Sequence, residues 1–235
     1  MLAGRHALVT GASRGIGRSI AVVLARAGAR VTLVARGAEA LHDAVQEIGE
    51  RATAVPTDLA KASAVEALVS HLEAAGALPD LLVNNAGLFP LASLDTQDVT
   101  AFEDTVRVNL IAPFLLVRAL LPHMKTAQRG HVITIGSVAD RHIFPGNGAY
   151  SASKYGQRAM HEVLVQELKS SGVRGTLVSP AATDTPIWDP IDPDNRPGFP
   201  PRASMLRPGD VADAVLWAAT RPPHVNIDEI RLSNS

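Results

Sequence analysis

Seven short runs rich in Val, Leu, Ile and Thr alternate with longer stretches of helical periodicity, and this rhythm constrains the fold more than any other feature. The strand-like runs are His6–Thr10, Val31–Val34, Thr53–Val55, Leu81–Asn84, Val132–Ile135, Gly175–Ser179 and a last one near Val225–Leu232. Helical patterns lie between them at Gly15–Ala27, Glu39–Glu50, Ala62–Ala75, Val99–Thr126, Ala149–Ser171 and Asp210–Thr220, several with apolar residues at i, i+3 and i+4. Strands separated by helices pair in parallel, because a parallel neighbour is reached only through a crossover connection. The expected fold is a doubly wound α/β domain, with a mostly parallel seven-stranded sheet and helices on both faces, and residues 1–235 form one domain. Five Phe, two Trp and two Tyr in 235 residues leave the core to be built from Ala, Val, Leu and Ile.

Composition removes several function classes. Zero Cys excludes disulfides, thiol catalysis and Cys-bound metal centres. Lys and Arg number 22 against 23 Asp and Glu, so no net charge draws the chain to nucleic acid or an anionic membrane. The low aromatic content argues against a base-stacking platform. The eight histidines show no paired ligand spacing, and no metal site is expected. Met1–His6 lacks the layout of a signal peptide, and the longest apolar run, Leu110–Leu121, is interrupted by Pro113 and Arg118; no membrane association and a cytoplasmic location are the expectation.

The first strand runs into Thr10-Gly11-Ala12-Ser13-Arg14-Gly15-Ile16-Gly17 and then a helix. Glycines there allow a tight turn and close approach of backbone N–H groups to a pyrophosphate at a helix N-terminus. In order along the chain follow Asn84-Asn85-Ala86-Gly87 after the fourth strand, Asn109 in the long helical pattern, Ser137 closing the fifth strand and Tyr150-Ser151-Ala152-Ser153-Lys154. Tyr150 and Lys154 share one helical face, where an ammonium can stabilise a phenolate and make the phenol a usable proton shuttle. Pro113 has no N–H, so the carbonyl of Asn109 loses its ordinary i+4 partner and is free to hold a water.

These motifs, together and in order, resemble the short-chain dehydrogenase/reductase family over essentially the whole chain. The resemblance implies a Rossmann fold and hydride transfer between a nicotinamide dinucleotide and a carbonyl or secondary alcohol. It implies catalytic roles for Asn109, Ser137, Tyr150 and Lys154: Tyr150 as general acid or base, Ser137 binding the substrate oxygen, and Lys154 holding the nicotinamide ribose. Cofactor contacts are implied for Gly11, Ser13, Arg14, Gly15, Ile16 and Gly17 of the turn, for Asp58 near the adenine, and for Asn85, Ala86 and Gly87. Pro180, Thr183 and Thr185 match the segment that orients the nicotinamide, although Ala181 stands where the family commonly has glycine. The second strand ends Val34-Ala35-Arg36-Gly37 without a carboxylate for a ribose hydroxyl, so Arg36 with Arg14 is expected to pair with a 2′-phosphate, making NADP(H) the preferred cofactor and NAD(H) the alternative.

Residues 184–208 hold seven prolines and are read as a substrate-side lid. His142, Phe144 and Trp188, with Ser137 and Tyr150, are the expected substrate contacts. The segments Pro208–Ala212 and Val225–Ile230 look like the ending of family members acting on small 3-hydroxy acids. β-Ketoacyl reduction is the runner-up, and a non-catalytic dinucleotide sensor the second alternative. The resemblance further implies a homodimer or homotetramer paired through the helices that carry Asn109 and Tyr150.

Overall fold

The computed structural model describes residues 1–235. Strands β1 (His6–Thr10), β2 (Arg30–Ala35), β3 (Ala52–Pro56), β4 (Leu81–Asn84), β5 (Gly130–Ile135), β6 (Val173–Pro180) and β7 (Glu229–Leu232) form one sheet in the order β3-β2-β1-β4-β5-β6-β7, with every neighbouring pair parallel. The expected doubly wound α/β architecture is present. Successive side chains of a strand point to opposite faces, and the core divides accordingly. Ala7, Val9, Leu81, Val83, Ile133 and Ile135 face a layer completed by α1 (Gly15–Arg26), α2 (Ala38–Ile48) and α7 (Pro208–Ala219). Leu8, Leu82 and Val132 face the other layer, with α3 (Ala62–Ala74), α5 (Ala112–Thr126) and α6 (Gly148–Glu167). No aromatic residue is among the buried core side chains.

Three elements depart from the periodicity. The helical pattern Val99–Thr126 is α4 (Val99–Val106) and α5 joined by a π turn at Arg107–Ile111, where Ala112 N–H reaches back to the carbonyl of Arg107. Pro113 explains the widening, since it cannot donate to Asn109 and the helix skips a residue to pass it. By length and mean hydropathy this 28-residue stretch would suffice to cross a membrane, but its side chains Leu116, Leu120 and Met124 are wholly buried against the sheet. The last strand starts at Glu229 rather than near Val225, because the Asn226 side chain, not a backbone carbonyl, accepts the Gly175 N–H at 3.0 Å. The proline-rich stretch holds short 3₁₀ turns at Pro186–Trp188 and Arg202–Ser204, and its last proline, Pro208, opens α7, where a missing N–H costs nothing.

The strand order reverses direction between β1 and β4, so the loops leaving their carboxyl ends diverge and open a crevice. All the motif residues except those on the helices follow carboxyl ends of strands.

Candidate active site

The crevice is a cleft of about 1220 Å³, larger than the roughly 300–1,000 Å³ of a site for one small ligand and suited to a dinucleotide with a second molecule beside it. One end is built by the glycine turn. Gly11 and Gly15 have φ of +66° and +56°, a conformation that strains other residues. Gly17 lies behind the turn, outside the cleft lining: a Cβ there would sit 2.3 Å from the Gly11 carbonyl oxygen. Thr10 and Asn85 clamp this turn to the Asn-Asn-Ala-Gly segment. The Thr10 hydroxyl accepts N–H bonds from Asn85 (2.9 Å) and Ala86 (3.0 Å), and Asn85 Nδ2 donates to the Thr10 carbonyl at 2.8 Å. Thr10 was not singled out as a site residue, although it opens the glycine motif.

Ser13, Arg14, Ile16, Arg36 and Asp58 line this end. Arg14 and Arg36 are exposed and neither forms an ion pair. Two unpaired guanidiniums at the mouth of the cleft suit a phosphate dianion. Asp58 accepts the N–H of Ala60 at 3.2 Å and faces Lys61 at 3.7 Å, so it also closes its own turn. Ala86, Gly87, Pro180, Thr183 and Thr185 line the middle. Ala181 is not in the left-handed region, and its N–H bonds the Leu232 carbonyl at 2.8 Å, so alanine in the glycine position introduces no strain.

The other end holds the catalytic candidates. Ser137, at the end of β5, accepts an N–H from Ala139 at 3.1 Å on its Oγ, which leaves its hydrogen to be donated into the cleft. Tyr150 and Lys154 come from the first turns of α6. Lys154 is buried; Nζ lies 5.7 Å from the Tyr150 ring centre and donates to the Ile135 carbonyl (2.8 Å) and Gln157 Oε1 (2.9 Å). An ammonium has three hydrogens, so one remains uncommitted. Burial lowers the Lys154 ammonium to about 8, against the pull of the buried Asp140 carboxylate. Burial pushes the Tyr150 phenol up, the hydrogen bond with Ser137 draws it down, and Asp140 pushes it up again. The ammonium was expected to lower this phenol; in the structure burial prevails and the phenol is held as an acid.

Asn109 does not line the cleft but supports it from below. Wholly buried, its amide accepts the Leu88 N–H (2.8 Å) and donates to the Leu88 carbonyl and Ser153 Oγ, both at 3.0 Å. Asp140, also wholly buried, anchors the Ser137 turn by accepting from Ser179 Oγ (2.7 Å) and Arg141 Nε (2.7 Å), and Arg141 continues to Glu229. Neither Asp140 nor Gln157 was identified from the sequence; Gln157 carried a signal, lying one helical turn beyond Lys154.

Of the expected substrate contacts, Phe144 and Trp188 line the cleft and His142 does not. His142 instead lines a separate cavity of about 250 Å³ with Arg141, Ser179 and Arg231. Phe89 and Phe199 line the cleft and were not foreseen. The proline-rich segment covers this end and is pinned by Arg202, whose guanidinium bonds Asp184 (2.6 Å), Asp189 (2.8 Å) and the Thr185 carbonyl (3.3 Å). We expect Arg202→Ala to free the loop: limited proteolysis should cut between residues 189 and 200 at least tenfold faster, with KM for substrate rising and kcat nearly unchanged.

A family model described as short chain dehydrogenase matches residues 5–196. An uncharacterized oxidoreductase of Staphylococcus saprophyticus is 34% identical over 233 residues, covering 97% of each chain. Among solved structures, a metagenomic short-chain oxidoreductase in complex with NADP is 36% identical at a TM-score of 0.85, covering 100% of this chain and 99% of that one. The closed form of a serine dehydrogenase complexed with NADP⁺ is 29% identical at a TM-score of 0.87, covering 96% and 93%. With the glycine turn, the Asn-Asn-Ala-Gly support and the Ser137–Tyr150–Lys154 cluster facing one cleft, these likenesses place the chain in the short chain dehydrogenase family.

Proposed function

We propose that this protein is an NADP(H)-dependent oxidoreductase that interconverts a carbonyl and a secondary alcohol of a small substrate, with NAD(H) as the alternative cofactor. The observation that carries the reading is the convergence of Ser137, Tyr150 and buried Lys154 at one end of a dinucleotide-sized cleft whose other end is the glycine turn. The site fits such a cofactor: the turn has no room for side chains at Gly11 or Gly17, and Arg14 and Arg36 stand free beside it. A bound dinucleotide supplies the hydride donor or acceptor at its nicotinamide. Gly11, Ser13, Gly15 and Ile16 would hold the pyrophosphate, Arg14 and Arg36 the 2′-phosphate, and Thr183 and Thr185 the nicotinamide end.

In reduction, Ser137 Oγ donates to the substrate oxygen and steadies the negative charge that develops there. Tyr150 Oη gives its proton to that oxygen. Lys154 holds positive charge beside the phenolate left behind. Asn109 holds Leu88 and Ser153 in place; its carbonyl, denied Pro113, is a seat for a water that would refill the proton of Lys154.

Two substrate classes enter from the sequence. The tail motif and the likeness to serine dehydrogenase support a 3-hydroxy acid; a β-ketoacyl thioester is the runner-up. Exposed Ile111, Phe114, Tyr155 and Val163 on α5, the π turn and α6 support a homodimer or homotetramer.

NADPH consumption across ketones, aldehydes and 3-oxo acids tests the reading, with turnover expected; tight NADPH binding without turnover of any carbonyl would favour a dinucleotide sensor. Arg36→Leu is expected to weaken NADPH binding about tenfold or more, the worth of a charge-assisted hydrogen bond, while leaving NADH within twofold. Equal losses for both cofactors by calorimetric titration would place Arg36 away from the 2′-phosphate.

A further inference from the structure

The core contains no aromatic side chain, yet Phe89, Phe144, Tyr150, Trp188 and Phe199 all line the cleft. In a chain with five Phe, two Trp and two Tyr, this is a concentration that packing of the fold does not require. Three of them extend edge to face from the catalytic phenol: Phe89 lies 4.6 Å from the Tyr150 ring, Trp188 5.3 Å from Phe89, and Phe199 6.1 Å from Trp188. They come from the loop after β4 and two parts of the proline-rich segment, and Leu88, Leu91 and Ile187 line the cleft beside them. Trp188 is oriented by its indole N–H, which donates to the Thr183 carbonyl at 3.1 Å. Charge is as informative. The only cations lining the cleft are Arg14 and Arg36 at the far end and Lys154, which is buried behind the Tyr150 ring with two of its three hydrogens given to Ile135 and Gln157. Arg196, whose guanidinium stacks on Phe199 at 5.2 Å, is not part of the lining. A substrate carboxylate bound beside Tyr150 would be desolvated without a partner.

Resting on the oxidoreductase reading above, and in place of the 3-hydroxy acid that the tail motif favours, we propose that the substrate is an uncharged ketone or aldehyde bearing a planar apolar group, an aryl carbonyl compound or its alcohol, seated against Phe89, Trp188 and Phe199. An aryl ring can join such a series through the edge-to-face or offset contacts that aromatic pairs prefer. In the forward step a hydride from the reduced nicotinamide dinucleotide bonds to the carbonyl carbon, the C=O π pair moves to oxygen, and that oxygen takes the Tyr150 proton, giving the alcohol and the oxidised dinucleotide.

The test compares kcat/KM with NADPH for acetophenone, 2-butanone, acetoacetate and benzoylformate in wild type, Phe89→Leu and Phe199→Leu. Acetophenone is expected to exceed each of the others at least tenfold, and either variant to cut its advantage over 2-butanone at least fivefold. Independently, acetophenone should quench Trp fluorescence in Trp217→Phe, which retains Trp188 alone, and should not do so in Trp188→Phe. Acetoacetate or benzoylformate turned over faster than acetophenone would overturn this proposal and leave the oxidoreductase reading standing. An aryl preference unchanged in both variants would overturn the assigned wall. No turnover of any carbonyl would overturn the oxidoreductase reading and this proposal with it.

Discussion

Tyr150→Phe is expected to lower carbonyl reduction about 10³-fold, in the middle of the range for loss of a positioned proton donor, while leaving NADPH binding within twofold and the thermal midpoint nearly unchanged. The change is confined to one oxygen. The ring that contacts Phe89 edge to face remains, so no cavity opens, and only the proton-donating hydroxyl is lost. Stopped-flow or steady-state NADPH oxidation with a titration of cofactor binding separates chemistry from binding; a variant that kept a tenth of wild-type kcat would remove Tyr150 from the proton transfer. The direction of its pKa adds a pH dependence. The phenol lies above its ordinary value, so reduction, which uses the protonated form, should run at neutral pH, whereas alcohol oxidation, which needs the phenolate, should accelerate as pH rises.

Lys154→Met should cost two to three orders of magnitude in turnover, because the phenolate left after proton transfer then faces no cation. The same substitution carries a stability signature that activity does not report. In the folded protein the ammonium titrates near 8, below its ordinary 10.5, because it is buried. Between these values the unfolded chain binds more protons than the native one, so wild-type stability gains from rising pH across that window. The gain from this group is about 2 kcal/mol between pH 7.5 and 9.5, at 1.36 kcal/mol per pKa unit. Methionine cannot titrate, so the variant should lack that increment. Urea denaturation of both proteins at the two pH values, without dinucleotide, measures it. Parallel pH dependences would mean that Lys154 is not held as a depressed ammonium. The wild-type curve includes other groups, such as Tyr150 at the upper end, which is why the difference between proteins is the quantity to compare.

Several parts of this site were legible before any coordinate because they are local. The spacing of Tyr150 and Lys154 is one helical turn, and a helix of any tertiary fate puts them on one face. The glycine turn follows a strand and opens a helix, so its backbone geometry is written into consecutive residues. The absence of an N–H at Pro113 marked the Asn109 carbonyl as losing its ordinary partner, but gave no sign that the chain would answer with a π turn between two helices. The direction of the Tyr150 pKa was not legible in this way. Spacing brings the ammonium near, but burial depends on what covers the phenol, and Asp140 reaches the site only through the fold of the Ser137 turn.

The sequence by itself determined the doubly wound sheet, the order of the motifs and the placing of Tyr150 and Lys154 on one helical face, because alternating period, glycine conformation and helical spacing act over a few residues. Tertiary structure alone decided the pocket chemistry. His142 and Phe144 are two positions apart on one irregular segment, yet one lines the small cavity beside Arg231 and the other the cleft. Phe89, Trp188 and Phe199 are not neighbours in sequence and meet where the loop after β4 faces the proline-rich loop, which is held by Arg202 through Asp184 and Asp189 and by the Trp188 indole on the Thr183 carbonyl. In such segments no repeating period sets the direction of a side chain, and long-range contacts must do so.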